Sequence, residues 1–265
     1  MHKSVNEVWD SGSPYENYVG RWSRRVATEF LAWLGISSRQ TWGDVGCGTG
    51  ALVETILSLA EPTSILAIDR SKGLLAEAQQ NISDQRVRFE IADATALPWE
   101  KASCDVTVSG LVLNFVPNAV AVVREMARVT RSMGMVAAYV WDYAKGMQMI
   151  RNFWDAVIEV NPEDATLDQA ERFPLCQPEP LKTVFQDAGL TSLAVRAIDI
   201  STVFRDFDDY WIPFLGKQGA APTYLASLES ESRERIREVL RARLIPSADG
   251  SISLSARAWA VKGIV

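Results

Sequence analysis

The chain alternates between short apolar runs and stretches in which apolar residues recur every three or four positions. Within 23–34, Val26, Phe30, Trp33 and Leu34 fall at helical spacing, which predicts an amphipathic helix ahead of the first strand. Segments 41–45, 65–68, 106–108 and 136–141 have the apolar content of strands. Helical patterns occupy 51–59, 74–82 and 120–129 between them. Strands that alternate with helices imply a parallel sheet covered on both faces. Segment 86–91 alternates strictly, with Val87, Phe89 and Ile91 on one side and Arg86, Arg88 and Glu90 on the other. That is the pattern of a half-exposed edge strand, whereas the continuously apolar 136–141 suits a buried one. A third strand at the edge agrees with a central first strand from which the chain winds outward both ways.

After Asp142 the rhythm breaks. Segment 143–180 holds Pro162, Pro174, Pro178 and Pro180 among scattered aromatics, which predicts an irregular insertion. A helix resumes at 181–188, closed by Gly189, and a strand follows at 193–200. Segment 204–223 is a second irregular excursion, with Trp211, Pro213, Gly216, Gly219 and Pro222. Its Phe207, Tyr210, Trp211 and Phe214 offer apolar surface and its glycines offer places to flex. That composition predicts a lid carrying Trp211 over a bound ligand, and packing of the same aromatics on the sheet is the alternative. A charged helix with Leu228, Ile236, Val239, Leu240 and Leu244 as its core face precedes a last strand at 252–261. The expected organisation is one domain over 1–265, with an N-terminal helical extension at 1–36 and cap-like insertions at about 143–180 and 204–223.

Composition narrows the function classes. Hydrophobic content of 48% and charged content of 23% suit a globular chain with a sizeable core. A net charge of −6 lacks the electrostatic footprint of a nucleic-acid or anionic-membrane binder. Arg233, Arg235, Arg237, Arg241 and Arg243 do cluster, but Glu229 and Glu231 stand four residues before the first two, which predicts a self-paired solvated face. Cys47, Cys104 and Cys176 are an odd number without CxxC spacing or a neighbouring histidine. Neither a disulfide framework nor a metal site is expected, and the usage suits a reducing cytosol. The opening residues carry no signal-peptide pattern, and the most apolar run, 106–123, is broken by Ser109, Asn114, Pro117 and Asn118. A cytoplasmic protein with no membrane span is expected.

The strongest local signal is Asp44-Val45-Gly46-Cys47-Gly48-Thr49-Gly50, where the first strand gives way to a helix. Glycines there allow a sharp turn and a close approach of ligand to backbone, and the helix N-terminus is expected to aim amide hydrogens at that ligand. Two ligands compete. Gly46, Gly48 and Ala51 meet the GxGxxA spacing of nicotinamide enzymes, with Asp69 near the place of their ribose acid. Ligand charge separates the two readings. A dinucleotide brings a pyrophosphate against the loop, whereas S-adenosylmethionine has no phosphate and carries a sulfonium and an ammonium. Asp44 beside the loop suits the cation and repels the pyrophosphate.

The loop resembles motif I of class I S-adenosylmethionine-dependent methyltransferases, in the branch of small-molecule and ubiquinone-type enzymes, and the likeness continues in order along the chain. Ile68-Asp69-Arg70-Ser71 is similar to the second-strand motif, whose acid accepts both ribose hydroxyls. Ala92-Asp93-Ala94-Thr95-Ala96-Leu97-Pro98 is similar to the third-strand motif, whose acid takes the adenine amino group and whose next amide meets the ring. Cys104 to Ser109 with Leu113-Asn114-Phe115-Val116-Pro117 resembles the motif facing the methionine end, and 131–141 the fifth strand with its leading turn. The resemblance implies a Rossmann-like α/β/α fold with a mostly parallel seven-stranded sheet, order 3-2-1-4-5-7-6, the last strand antiparallel. It implies a cofactor held by Asp44, Gly46, Cys47, Gly48, Gly50, Asp69, Arg70, Asp93, Ala94 and Ser109. Tyr15, Tyr18 and Arg21 match the residues that close over it, and Asn114 and Trp211 are candidates on the acceptor side.

Methyl transfer is an in-line displacement from a leaving sulfonium, so the protein has mainly to align the reactants and exclude water. The single histidine is His2, which removes His-based catalysis and leaves Asp142 and Tyr143 as the best-placed bases should one be needed. The fourth strand ends in Ser109-Gly110-Leu111, unlike amino-group DNA methylases, and no Pro-Cys nucleophile is present. The expected reaction is methylation of a small-molecule acceptor. A cofactor-binding sensor without turnover and a nicotinamide-dependent oxidoreductase are the alternatives.

Overall fold

The structure is a computed structural model that describes residues 16–216 and 219–265. It contains a seven-stranded sheet, order β3-β2-β1-β4-β5-β7-β6, with the last strand antiparallel, as the resemblance implies. The strands are β1 (Thr41–Val45), β2 (Ser64–Asp69), β3 (Val87–Ile91), β4 (Cys104–Gly110), β5 (Thr130–Trp141), β6 (Thr191–Phe204) and β7 (Ile252–Ile264). β1 lies between β2 and β4, parallel to both, with Trp42 opposite Ile65 on one side and Val106 on the other. This places the strand-order reversal at the end of β1, where open α/β sheets bind their ligands.

The chain divides into two compact units. One comprises 22–140, 175–198 and 258–265 and carries β1 to β4 with most of β5. Its helices are α1 (Arg21–Leu34, from Trp22), α2 (Ala51–Leu59), α3 (Lys72–Asn81) and α4 (Ala119–Val129). Local chemistry sets their starts. The Ser71 hydroxyl accepts from the Leu74 amide to cap α3, and the Asn118 side chain accepts from Ala121 to cap α4. α1 buries Val26, Phe30 and Leu34, with the Phe30 ring 4.7 Å from that of Tyr139 on β5.

Among the described residues, the other unit comprises 16–21, 141–174 and 199–257, and here two sequence expectations are corrected. Segments 143–180 and 204–223 are largely helical rather than irregular. They contain α5 (Gln148–Val160), a 3-10 turn over Pro162–Leu167, α6 (Gln169–Arg172) and the start of α7 (Pro178–Asp187). The second segment holds α8 (Phe207–Trp211), a 3-10 turn over Ile212–Leu215 and the first half of α9 (Ala220–Ser227). The prolines misled because Pro162, Pro178 and Pro213 stand in the first turn of a helix, where the missing N–H has no intrahelical acceptor to lose. α5 presents Ile150, Phe153, Trp154 and Val157 on a buried stripe. Phe153 stacks on Phe214 at 4.6 Å, and Phe214 in turn meets Tyr210 and the edge of Tyr18. Two buried tyrosine tips are satisfied: the Tyr210 hydroxyl donates to the Met149 carbonyl, and that of Tyr224 donates to Asp164.

The charged helix is α10 (Ser230–Arg243). Of its expected core face, Ile236, Leu240 and Leu244 are buried and Leu228 and Val239 half-buried. Its charges pair differently from the expected i,i+4 set. Arg233 donates to the Leu228 carbonyl, Arg237 pairs with Glu234 and Asp208, and Arg243 pairs with Glu159 and Asp155. Among the described residues, no helix is long and apolar enough to cross a membrane.

Candidate active site

The glycine loop folds back on its own strands. The amides of Gly46 and Cys47 both donate to the Ile68 carbonyl at 2.8 Å, Gly48 donates to Asp69 Oδ2 at 2.9 Å, and Gly50 donates to the Cys47 carbonyl. These four amides hold β1 to β2 and shape the turn. A loop that spends its amides internally has little to offer a pyrophosphate. Gly46 has φ +80°, and a Cβ there would lie 2.5 Å from Val112 Cγ2, so both backbone and space exclude a side chain. Gly48 differs, since a Cβ there would meet nothing within 4 Å; this is the open side of the loop.

Asp44 is the electrostatic centre of the loop. It is wholly buried near the end of β1, and neither carboxylate oxygen has a hydrogen-bond partner. Burial, and then the nearby Asp69 charge, push its pKa up to about 8. A fold carries a desolvated carboxylate without a partner at considerable cost, which marks it as awaiting one. Asp69, at the end of β2, ties two turns together: Oδ2 accepts from Gly48 and Oδ1 accepts from Ser71 at 2.7 Å. Burial raises its pKa, with those backbone bonds opposing the rise. Each of its oxygens keeps a lone pair for a further donor. Arg70 is exposed beside it.

Other predicted residues take more local roles. Asp93 is exposed, and its Oδ1 accepts from the Thr95 amide at 2.8 Å and from the Thr95 hydroxyl, which lowers its pKa. Ala94 is half-buried within the same turn. Ser109 is fully buried and its hydroxyl donates to the Val45 carbonyl at 2.8 Å, so it fixes β4 to β1 behind the loop. The Cys47 thiol is driven well up in pKa by burial and the two aspartates, which leaves it a packing group. Asn114 sits in a 3-10 turn over Leu113–Phe115, and its Nδ2 is buried without a partner. All of these lie in the unit that carries β1 to β4.

The remaining candidates belong to the other unit. Arg21 pairs with Asp209 at 3.2 Å and lies over the Phe204 ring, while Tyr18 is buried against Phe214. Tyr15 lies outside the described residues. Asp142 is buried where β5 ends: its Oδ1 accepts from the Lys145 amide, and its carbonyl accepts from Gly146 and Met147. Tyr143 packs beside Phe173 at 5.7 Å. These contacts make the pair a structured turn into α5. Trp211 is 6% exposed between Phe207 and Phe214. Among the described residues no cluster of metal-ligating side chains occurs. The sequence reading passed over Val112, the wall that Gly46 needs, because a lone valine carries no signal.

A strand-order reversal at the end of β1, a loop that turns the amides of Gly46, Cys47, Gly48 and Gly50 inward and an unpartnered carboxylate beside it suit a cationic ligand better than a pyrophosphate. Residues 43–138 match the methyltransferase-domain family. The demethylmenaquinone methyltransferase of Staphylococcus aureus is 26% identical over 188 residues, covering 66% of this chain and 76% of that protein. A Bacillus halodurans protein provisionally assigned as a methyltransferase shares the fold with a TM-score of 0.59 at 13% identity, over 90% of this chain and 97% of its own. Phosphoethanolamine N-methyltransferase 2 of Haemonchus contortus, solved with S-adenosyl-L-methionine, gives 0.57 at 15% identity, over 91% of this chain and 52% of its own. The chain carries a methyltransferase domain over residues 43–138 and is similar to S-adenosylmethionine-dependent methyltransferases.

Proposed function

We propose that the protein methylates a small organic acceptor, with the cofactor held by Asp44, Gly48, Asp69, Asp93 and Ala94. The observation that carries the reading is Asp44, a buried carboxylate with no partner in a loop where the amides of Gly46, Cys47, Gly48 and Gly50 are already engaged. When bound, the cofactor supplies a methyl group on a positively charged sulfur. Asp44, ionised by the nearby cation, contributes a negative charge toward the cationic end. Asp69 offers its remaining lone pairs to the ribose hydroxyls, and Gly48 leaves room for approach to the backbone. Asp142 and Tyr143 keep the turn after β5 in place, and no general base is assigned. A small acceptor is supported by the net charge of −6 and by the Staphylococcus aureus relative, whose named substrate is a demethylmenaquinone.

The test is partition of label. With the methyl group of the cofactor isotopically labelled, incubation with a cell extract should move label into the low-molecular-mass organic fraction. Label confined to nucleic acid or protein would overturn the acceptor class. A second expectation concerns Asp69→Ala. Loss of charge-assisted bonds to the ribose should weaken cofactor binding about 10- to 100-fold by titration calorimetry, with the fold retained. Unchanged affinity in a folded variant would reduce Asp69 to a brace between the two turns.

A further inference from the structure

The turn that carries Asp93 is pinned at both ends, and the second pin is a pair of residues with no assigned role. At its start, the Ala92 amide donates to the Asp69 carbonyl at 3.2 Å. At its end, Leu97 is gripped by side chains from α4. Glu125 Oε2 accepts from the Leu97 amide at 2.9 Å, and Arg128 Nη2 donates to the Leu97 carbonyl at 2.9 Å. Arg128 Nη1 donates further to the Trp99 carbonyl at 3.0 Å. The two side chains also grip each other, through bonds of 2.7 and 2.8 Å from the guanidinium to the two carboxylate oxygens. Together they do for Leu97 what a neighbouring strand would do, meeting both its N–H and its C=O where no strand is present. The pair is mutually reinforced: Arg128 draws the Glu125 carboxyl below its ordinary pKa, and Glu125 raises that of Arg128. The ring of Trp99 fills the space beside Gly43 of β1, where a Cβ would lie 2.8 Å from it.

We propose that Glu125 and Arg128 are positioning residues for recognition of the adenine end of the cofactor. They fix the exposed turn 93–96 between two anchors, so that Asp93 and the Ala94 amide hold one geometry. The Asp93 carboxylate accepts from Thr95 and its carbonyl from the Ala96 amide at 3.1 Å, all within its own turn, and the residue is exposed. Without the clamp its carboxylate would sample many positions, and discrimination among purines would fall even where the fold survives. The proposal rests on the reading of Asp93 as the group that takes the adenine amino hydrogen.

The measurement is the ratio of affinities for S-adenosylhomocysteine and S-inosylhomocysteine, which differ at that amino group. Partial unfolding lowers both apparent affinities alike and leaves the ratio unmoved, so the ratio separates positioning from simple stability. The ratio should fall about 10-fold or more in Asp93→Ala, and about 3- to 10-fold in Glu125→Gln and in Arg128→Met. Arg128→Lys keeps the charge without the planar fork and should restore it only in part. If Asp93→Ala collapses the ratio while the Glu125 and Arg128 variants keep it, the pair is a structural brace and the proposal is overturned. An unchanged ratio in Asp93→Ala would remove the adenine reading of Asp93, and the proposal with it.

Discussion

Asp44→Asn is expected to make the cofactor-free protein more stable at pH 8 and to take away most of its cofactor affinity. The folded-state pKa of about 8 stands far above the ordinary value of 3.8 for a free aspartate. Between those values the folded protein holds a proton that the unfolded chain has already released, so stability declines as pH rises through that window. The slope is about 1.4 kcal/mol per pH unit where the difference is fully expressed. Below about pH 4 the penalty is absent, and above about pH 8 it is complete. Asparagine has nearly the same shape and no charge, so urea midpoints of the variant should lack this slope and exceed those of the parent at pH 8 but not at pH 4. Binding runs the other way. A cation beside Asp44 favours its ionised form, so affinity for S-adenosylmethionine should climb with pH up to about 8, with a proton released on binding at neutral pH. The variant should lose that dependence and bind on the order of 100-fold more weakly at pH 8, the scale of removing one partner from a buried ion pair. Calorimetry in buffers of different ionisation enthalpy measures both quantities. Equal affinities for parent and variant across pH 6 to 8 would show that the ligand's positive charge lies elsewhere.

Much of the cofactor half was legible because its rules are local. Gly50, with φ +92°, starts α2 at the residue read from the sequence, and the apolar run of β1 matches its observed bounds. Strand ends were less legible at the far side of the sheet. β6 runs from Thr191 to Phe204 because alternation of exposed Asp199, Ser201 and Val203 with buried neighbours continues along an edge beyond its apolar middle. The charge of Asp44 could be read as favouring a cation, but its complete lack of partners depends on what the fold brings near it. The direction of the loop amides was hidden for the same reason, since their acceptors, Ile68 and Asp69, come from another strand. Glu125 and Arg128 do leave a trace, an opposite-charge pair at i,i+3 spacing in a helix whose other charge is Arg124. That spacing describes a surface pair equally well, and only the fold shows a loop held between them.

Trp211→Ala carries the second large effect, and it falls on stability. The composition of 204–223 suggested a lid because an aromatic loop without partners would leave apolar surface in water. Those aromatics have partners. Phe204, Tyr210 and Phe214 are fully buried, Trp211 lies within 6.4 Å of the Phe207 ring and 6.3 Å of the Phe214 ring, and Phe214 stacks on Phe153 of α5. Removing the indole would open a cavity against a cluster that cannot collapse without disturbing the Phe153–Phe214 stack. The expected loss is about 3–5 kcal/mol in urea unfolding, as for other large-to-small changes in an aromatic core. Activity per folded molecule should stay near that of the parent, and limited proteolysis should cut 204–223 at similar rates with and without cofactor and extract. An unaltered melting temperature with methyl transfer abolished, together with protection of the segment by ligands, would instead return Trp211 to the acceptor side as part of a lid.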